Sequence, residues 1–310
     1  MKKEYIDNQR QRRYVLLTVL AVMVVSLVAA LWICSKAVKA ERHVRYVGMM
    51  RVTSERLSKT IRGVEMNAKN VFDEVGKHLD SPESVIAALE SKTSLNPDVK
   101  GYFAAFEPNH FPEKGRWFEP YVHHSDSGSF EVNQVGSARH DYTKSEWYVR
   151  AVAASGRGTS GDELEMCFWS EPYYYQDNDE IGISGHYCTF ITPIMDANNR
   201  LVCVCGADMT LEWLGDELKR IDESNRNDNI LNKFRLFDSQ DFYSIIVNKD
   251  GSCVAHPDGK RVPLTDEQVI SDLAQRKSGV ADLTVNGVPS IVYYGPIDHI
   301  DWSVAVIVKK

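Results

Sequence analysis

The sequence predicts an α+β protein in which a transmembrane helix runs into a long helix and then into two modules of antiparallel sheet. Three observations carry this. Tyr14 to Cys34 form an uncharged apolar run. Leu57, Ile61, Val64, Ala68, Val71 and Val75 recur at the alternating four-and-three spacing of a helix stripe or coiled-coil seam. Beyond Gly101, short β-rich runs alternate with turn signals.

The first element is a membrane anchor. Tyr14–Cys34 holds no Asp, Glu, Lys or Arg, and at about 1.5 Å per residue it spans a hydrocarbon core of roughly 30 Å. Lys2, Lys3, Arg10, Arg12 and Arg13 outweigh Glu4 and Asp7 before it, whereas the whole chain carries −7. Positive flanks stay cytoplasmic, so the N-terminus is expected inside and the acidic body outside. Lys36, Lys39, Arg42 and Arg45 oppose this bias, but a long folded domain translocates despite nearby charge. A cleaved signal peptide is the rival reading. Its apolar region is usually about 7–15 residues, and Val38-Lys39-Ala40 is a poor cleavage site, which favours an uncleaved anchor.

The stretch after the anchor lacks Pro as far as Leu79 and continues as a helix whose stripe packs a core and offers a homodimer seam. From 101 to 214 the runs GYFAAFE, SFEVNQVG, GHYCTFITPIM and LVCVCGADMTL read as strands, with turns at Asp126-Ser127-Gly128 and around Ala197. Asp216 to Asn232 reads as a charged helical or loop linker. FYSIIVN, the turn Lys249-Asp250-Gly251, a helix over 265–275 capped by Thr265, a hairpin at Asn286-Gly287 and a closing strand from Trp302 make a second, smaller module. The expected division is a basic tail over 1–13, a transmembrane helix over 14–35, a helical stalk over 36–79, and lobes over 80–220 and 235–310. Cys203 and Cys205 read as one strand face; Cys167, Cys188 and Cys253 join them outside the membrane. Core thiols are the simplest reading, with a disulfide or a metal site as the alternatives.

The order DYTKSEWYVRAV, FWSEPYYY, GHYCTFITPIMD and VCGADMTLEWL, then NKDGSCVAHPDGK and a closing WSVAVIV, resembles the double Cache family. Its members are extracytoplasmic sensor domains with two PAS-like lobes on one long helix, and they front bacterial chemoreceptors, histidine kinases, diguanylate cyclases and sensor phosphatases. The resemblance runs from about Lys39 to Lys309. It implies a membrane-distal lobe first, a membrane-proximal lobe second, and a small-molecule site in the distal one. The ligand-binding residues carried over are Trp147, Tyr148, Tyr173 and Asp208. The Arg that clamps a ligand carboxylate in amino-acid-binding members is Ser145 here, and Tyr175 stands where many relatives have Asp. Serine cannot replace a bidentate guanidinium; Arg150, Arg139 or His140 would have to supply the charge, and Arg150 joins the expected ligand-binding set.

The expected ligand is therefore a small polar molecule: an amine, an amino acid or a carboxylate. Asp208 among aromatic faces suits a cationic nitrogen, although it would equally cap a helix starting near Thr210. No phosphate loop, zinc motif or nucleophile elbow is present, and Gly158-Thr159-Ser160-Gly161 falls short of one. No cofactor is expected, and the acidic body argues against nucleic acid. The acidic runs 162–165 and 177–180 read as solvated loops. The expected function is a membrane-anchored extracytoplasmic sensor (input) domain in the inner membrane, single-pass. The alternatives are a ligand-free scaffold or partner-interaction protein and, third, an exported enzyme. Family members re-enter the membrane after the closing strand; here the sequence ends at Lys310. The expectation is either the input half of a longer receptor or a protein that signals through a cytoplasmic or membrane partner.

Overall fold

The computed structural model describes residues 2–93, 96, 98–125, 129–156, 166–176, 183–227 and 241–310. The turn at Asp126-Ser127-Gly128, the acidic runs 162–165 and 177–180, and Gly158–Gly161 lie outside the described residues. Helix α1 spans Lys2–Lys77. Met1–Met49 forms one unit and Met50–Lys310 another. In the first, the apolar side chains of the run Tyr14–Ile33 are exposed, Leu16 at 68% and Trp32 at 63%. The helix is long and apolar enough to cross a membrane, and so large an apolar surface fits lipid rather than water.

In the second unit, α1 buries its stripe. Leu57, Ile61, Val64, Ala68, Val71 and Val75 are at most 2% exposed. Each of the larger ones contributes about 1.5–3 kcal/mol by leaving water. The chain's own core uses this stripe, as the core-packing reading expected.

The first lobe comprises α2 (Pro82–Thr93), β1 (Gly101–Phe106), β2 (Pro120–His124), β3 (Phe130–Gln134), α3 (Glu146–Ser155), β4 (Phe168–Trp169), β5 (Tyr173–Tyr175), β6 (Gly185–Met195) and β7 (Leu201–Thr210). The strand order is β3-β2-β1-β7-β6-β4, with β5 also on β6. Every β1 residue is buried because both faces of the sheet are covered. On one face Tyr102 meets Phe72 of α1 edge-on, ring centroids 6.2 Å apart. On the other, Phe103, Ala105 and Val204 pack with Tyr148 and Ala151 of α3. Cys203 and Cys205 are buried on one strand face with sulfurs 4.0 Å apart. All six cysteines are free thiols.

Helix α4 (Leu211–Asn227) follows. Its first turn is capped by Thr210, whose Oγ1 accepts from Trp213 N at 3.1 Å. Asp208 therefore caps nothing, and the helix extends through much of the stretch read as a linker. The second lobe comprises β8 (Phe242–Asn248), β9 (Cys253–Ala255), α5 (Glu267–Ala274), β10 (Gly279–Val285), β11 (Val288–Pro296) and β12 (Trp302–Lys309), in the order β10-β11-β12-β8-β9. Both sheets place the lobe's first strand beside its last, the expected shared plan. Asn286 and Gly287 have φ of 50° and 79°, which makes the β10–β11 connection the two-residue primed turn that this dipeptide signals. The α5 cap is Asp266, which accepts from Val269 N, and not Thr265; a carboxylate there also meets the positive end of the helix.

Asp222 of α4 joins the lobes. It is 2% exposed and accepts from Ser244 N at 2.7 Å and Ser244 Oγ at 2.6 Å. Asp222→Ala strands both donors on β8 and is expected to cost about 1–3 kcal/mol. Urea denaturation of the full chain checks this, and an unchanged midpoint would show that the contact contributes nothing.

Candidate functional site

Two glycines leave room for a pocket on the α3 face of the first sheet. Gly101 pairs with Asp208, and Phe103 pairs with Gly206, across β1 and β7. A Cβ at Gly206 would lie 2.2 Å from the Phe103 ring, and one at Gly101 would lie 2.6 Å from the Tyr121 ring. These close approaches let Phe103 lie over β7 and let the Tyr121 phenol lie beside Asp208. On the other flank of β7, Thr189 of β6 is Asp208's register partner.

The result is a cavity of about 50 Å³ lined by Phe103, Glu119, Tyr121, Val135, His140, Trp147, Tyr173, Tyr175, Ile183, Tyr187 and Asp208. His140, Trp147, Tyr173 and Tyr175 also line an adjoining cleft of about 430 Å³, together with Ser145, Arg150, Phe168 and Glu171. A small inner chamber thus has a wider vestibule. Aromatic walls with a few convergent polar groups are the usual composition of a ligand site.

Asp208 is 8% exposed. Thr189 donates to its Oδ1 at 2.6 Å, and the Tyr173 hydroxyl lies 2.8 Å from Thr189 Oγ1 and 3.4 Å from Asp208 Oδ1. With the threonine proton on the carboxylate, Tyr173 donates to Thr189, so the hydroxyls form a chain ending at Asp208. Burial pushes the Asp208 carboxyl up to about 6 against the pull of these bonds. Glu119, just before β2, is 3% exposed, and its Oε2 accepts no hydrogen bond. His140 Nε2 lies 3.5 Å from that oxygen, but burial lowers the imidazole's proton affinity. Burial, then the charge of Asp208, raises the Glu119 carboxyl well above the usual range. Tyr121 turns its hydroxyl toward Asp208 without closing a hydrogen bond. Among the described residues, the chamber's lining therefore holds two desolvated carboxyls and no lysine or arginine.

The sequence-expected residues divide. Trp147, Tyr173 and Asp208 meet in the chamber. Tyr148 does not: it faces inward from α3, its ring 5.3 Å from Tyr142, as part of the core. Adjacent helix residues point about 100° apart, so a Trp-Tyr pair cannot place both rings in one small chamber. Arg150 is in the vestibule, its guanidinium 3.9 Å from the Phe168 ring centroid, and it does not reach the position of a clamp inside the chamber. Glu119 was not foreseen. A lone carboxylate in the aromatic run Trp117-Phe118-Glu119-Pro120-Tyr121 was the available signal, and it repeats the Glu-Pro-Tyr of 171–173. Elsewhere, a groove of about 360 Å³ lined by α4 and the second lobe contains two ion pairs, Lys309 with Asp241 and Lys260 with Asp258. Among the described residues no cluster fits a metal ion.

Residues 85–216 match the family model of the methyl-accepting chemotaxis protein-like first PDC sensor domain. The chain is similar in structure to the extracellular domain of a proposed histidine kinase, mmHK1S-Z3, with a TM-score of 0.64 at 18% identity, covering 86% of this chain and 94% of that one. It is similar to the periplasmic sensory domain of the Campylobacter jejuni chemoreceptor Tlp1, with a TM-score of 0.60, 12% identity, and coverage of 84% and 92%. The ligand-binding domain of the Pseudomonas aeruginosa PAO1 amino-acid chemoreceptor PctC, solved with GABA, aligns with a TM-score of 0.54, 17% identity, and coverage of 85% and 98%. No curated protein sequence matches the chain. The fold is that of the Cache, or PDC, sensor domains that serve chemoreceptors and histidine kinases as extracytoplasmic input, as the sequence resemblance implied.

The raised Asp208 carboxyl has a definite pH consequence. Its proton affinity is higher folded than unfolded, so its contribution to stability is complete below about pH 4 and is lost as pH rises through about 6. The shift from 3.8 to about 6 corresponds to about 3 kcal/mol. Without ligand, the melting temperature of the wild type is expected to fall between about pH 5 and about pH 7.5 by more than that of Asp208→Asn. Parallel curves for the two proteins would rule out a desolvated carboxyl at 208.

Proposed function

We propose that this chain is a membrane-anchored sensor input domain, held by α1 with its N-terminus on the cytoplasmic side, and that the chamber around Asp208 is its small-molecule site. The supporting observation is the desolvated Asp208 carboxyl within an aromatic chamber that opens to a vestibule. An ionisable group kept this dry costs the empty protein stability, and a ligand that engages it recovers that cost. Trp147, Tyr173 and Asp208 are the direct contacts; Arg150 meets the outer end of a longer ligand in the vestibule. The site binds and releases its ligand unchanged.

A route for the signal lies next to the site. Trp169 of β4 donates from Nε1 to Glu65 Oε1 of α1 at 2.9 Å. Glu65 Oε2 lies 3.6 Å from His299 Nδ1 of the second lobe, and Arg62 Nη2 lies 2.8 Å from His299 Nε2. Ser170, Glu171 and Tyr173 follow Trp169 directly along the vestibule wall, so a ligand that draws in this strand pulls on α1. The output belongs to a signalling partner or to a further segment of a longer receptor.

A melting screen of the full chain in nanodiscs, with amines, amino acids and small carboxylates, tests the reading. Binding to the native state alone at a hundredfold excess over Kd stabilises by about 2.7 kcal/mol. The expected result is a stabilising compound whose effect disappears in Asp208→Ala and Trp147→Ala. Arg150→Ala is expected to leave simple amines unaffected and to weaken ligands with a carboxylate at the far end. A panel without a stabilising compound favours the ligand-free scaffold, and a hit indifferent to Asp208 and Trp147 moves the site elsewhere.

A further inference from the structure

The membrane end of α1 carries a charge pattern that the sensor site does not use. Directly after the apolar run, Ser35 to Tyr46 hold Lys36, Lys39, Arg42 and Arg45 against the single acid Glu41. Basic residues on this side oppose the orientation set by the N-terminal tail. The chain nevertheless totals −7, so the body beyond them is strongly acidic and the basic group lies between it and the anchor.

The helix brings three of these cations together. α1 is continuous through the stretch, so Lys36, Lys39 and Arg42 follow at steps of three residues and share a sector of about 120°. Glu41 is turned away from Lys36 by about 140° and from Lys39 by about 160°. Arg45 is engaged elsewhere, its guanidinium 5.4 Å from the centroid of the Tyr46 ring. Lys36 and Lys39 are exposed, and Arg42 is half-buried.

Depth follows from the helical rise. Lys36, Lys39 and Arg42 have their backbones about 3, 7.5 and 12 Å beyond Cys34, where a headgroup layer is about 5–7.5 Å thick. Helix side chains lean toward the N-terminus, here toward the bilayer. Lys36 does so: its Nζ lies 5.7 Å from the ring centroid of Trp32, one turn nearer the membrane. Trp32 is itself of the residue type that settles at headgroup level. An ammonium that sought only water would extend the other way.

We infer that Lys36, Lys39 and Arg42 form a binding surface for the phosphates of anionic phospholipids in the leaflet where α1 leaves the bilayer. The three cations stand at headgroup depth on the convex side of one helix, a shape that meets a lipid layer and does not enclose a free ion. Bound headgroups offset the charge that opposes the orientation, and they fix the depth at which α1 leaves the membrane. The surface depends on the anchor part of the proposed function and is independent of the chamber around Asp208.

Quenching of Trp32 fluorescence tests this in the full chain in nanodiscs. Trp32 is the one tryptophan of the apolar run, so bromine on shallow acyl carbons quenches it and spares those of the body. It lies roughly 27 Å along the helix from Tyr14, out of reach of lipids drawn to the N-terminal tail. Brominated phosphatidylglycerol and brominated phosphatidylcholine are compared at equal mole fraction in unlabelled phosphatidylcholine. One basic residue near an anionic surface corresponds to about fivefold in affinity, so a preference for phosphatidylglycerol of at least about fivefold is expected. Lys36→Gln with Lys39→Gln is expected to reduce it to about twofold or less, whereas Glu41→Gln does not reduce it. In the wild type the preference is expected to fall as salt rises from about 0.1 M to about 1 M, where the screening length drops from about 10 Å to about 3 Å. That measurement needs no variant. Equal quenching by the two lipids, or an undiminished preference in the folded double variant, overturns the lipid surface and leaves the anchor standing. Loss of the preference on adding inorganic phosphate, but not chloride at matched ionic strength, assigns the cations to a free anion and overturns it as well. Quenching of Trp32 by neither lipid overturns the anchor together with the surface.

Discussion

The antiparallel pairing of β1 with β7 is the constraint on which the first lobe depends. It joins strands about a hundred positions apart in the chain, in the register Gly101 to Asp208. A slip by one residue would turn Asp208 toward α1 and bring Ala207 into the chamber, because strand side chains alternate faces. The same slip would carry Phe103 off the bare backbone of Gly206, the one place on β7 where its ring fits. The second lobe repeats the device: β8 lies beside β12 with Trp302 opposite Asn248. Each lobe is closed by its first and last strands, so neither is complete until its whole segment has been made.

Around that pairing the molecule keeps an electrostatic imbalance. Most of its charges follow the usual rule, lying on the surface or, like Asp222, buried with donors on both oxygens. Asp208 and Glu119 are different. The hydroxyl chain Tyr173–Thr189–Asp208 orients one carboxylate without neutralising it, and Glu119 lacks even that. Removal from water outweighs the few hydrogen bonds available, which is why both carboxyls hold protons more tightly than free ones. Burial raises the Asp222 carboxyl as well, but there the two Ser244 donors oppose the shift on both oxygens, a support that Glu119 Oε2 lacks.

Position gives the imbalance an outlet. β4 and β5 form the mouth of the chamber and are short, two and three residues, so they hold to the sheet by few ladder bonds. Trp169, the last residue of β4, reaches Glu65 on α1, and His299 brings the second lobe to the same point of the helix. α1 is thus touched at one place by both lobes. The strands beside the chamber thus have a direct hydrogen bond to the helix.

Local patterns made much of the fold legible. The apolar run, the stripe from Leu57 to Val75, the hairpin at Asn286-Gly287 and the long β6–β7 hairpin all depend on neighbours within a few residues, where periodicity and turn chemistry act directly. Trp147, Tyr173 and Asp208 were also readable, through family resemblance in their motifs. Short-range competition was harder to judge: Thr210 and Asp266 cap their helices where Asp208 and Thr265 were the alternatives, because a shift of one or two residues in where the backbone turns decides which side chain reaches the free N–H groups. Tertiary structure alone decided that Tyr148 joins the core, that Arg150 stays in the vestibule, and that Glu119 faces Asp208. Each of those outcomes depends on the register of distant strands and the rotation of α3 against them, and a carboxylate's environment is a property of what surrounds it in space, which no stretch of sequence around Glu119 contains.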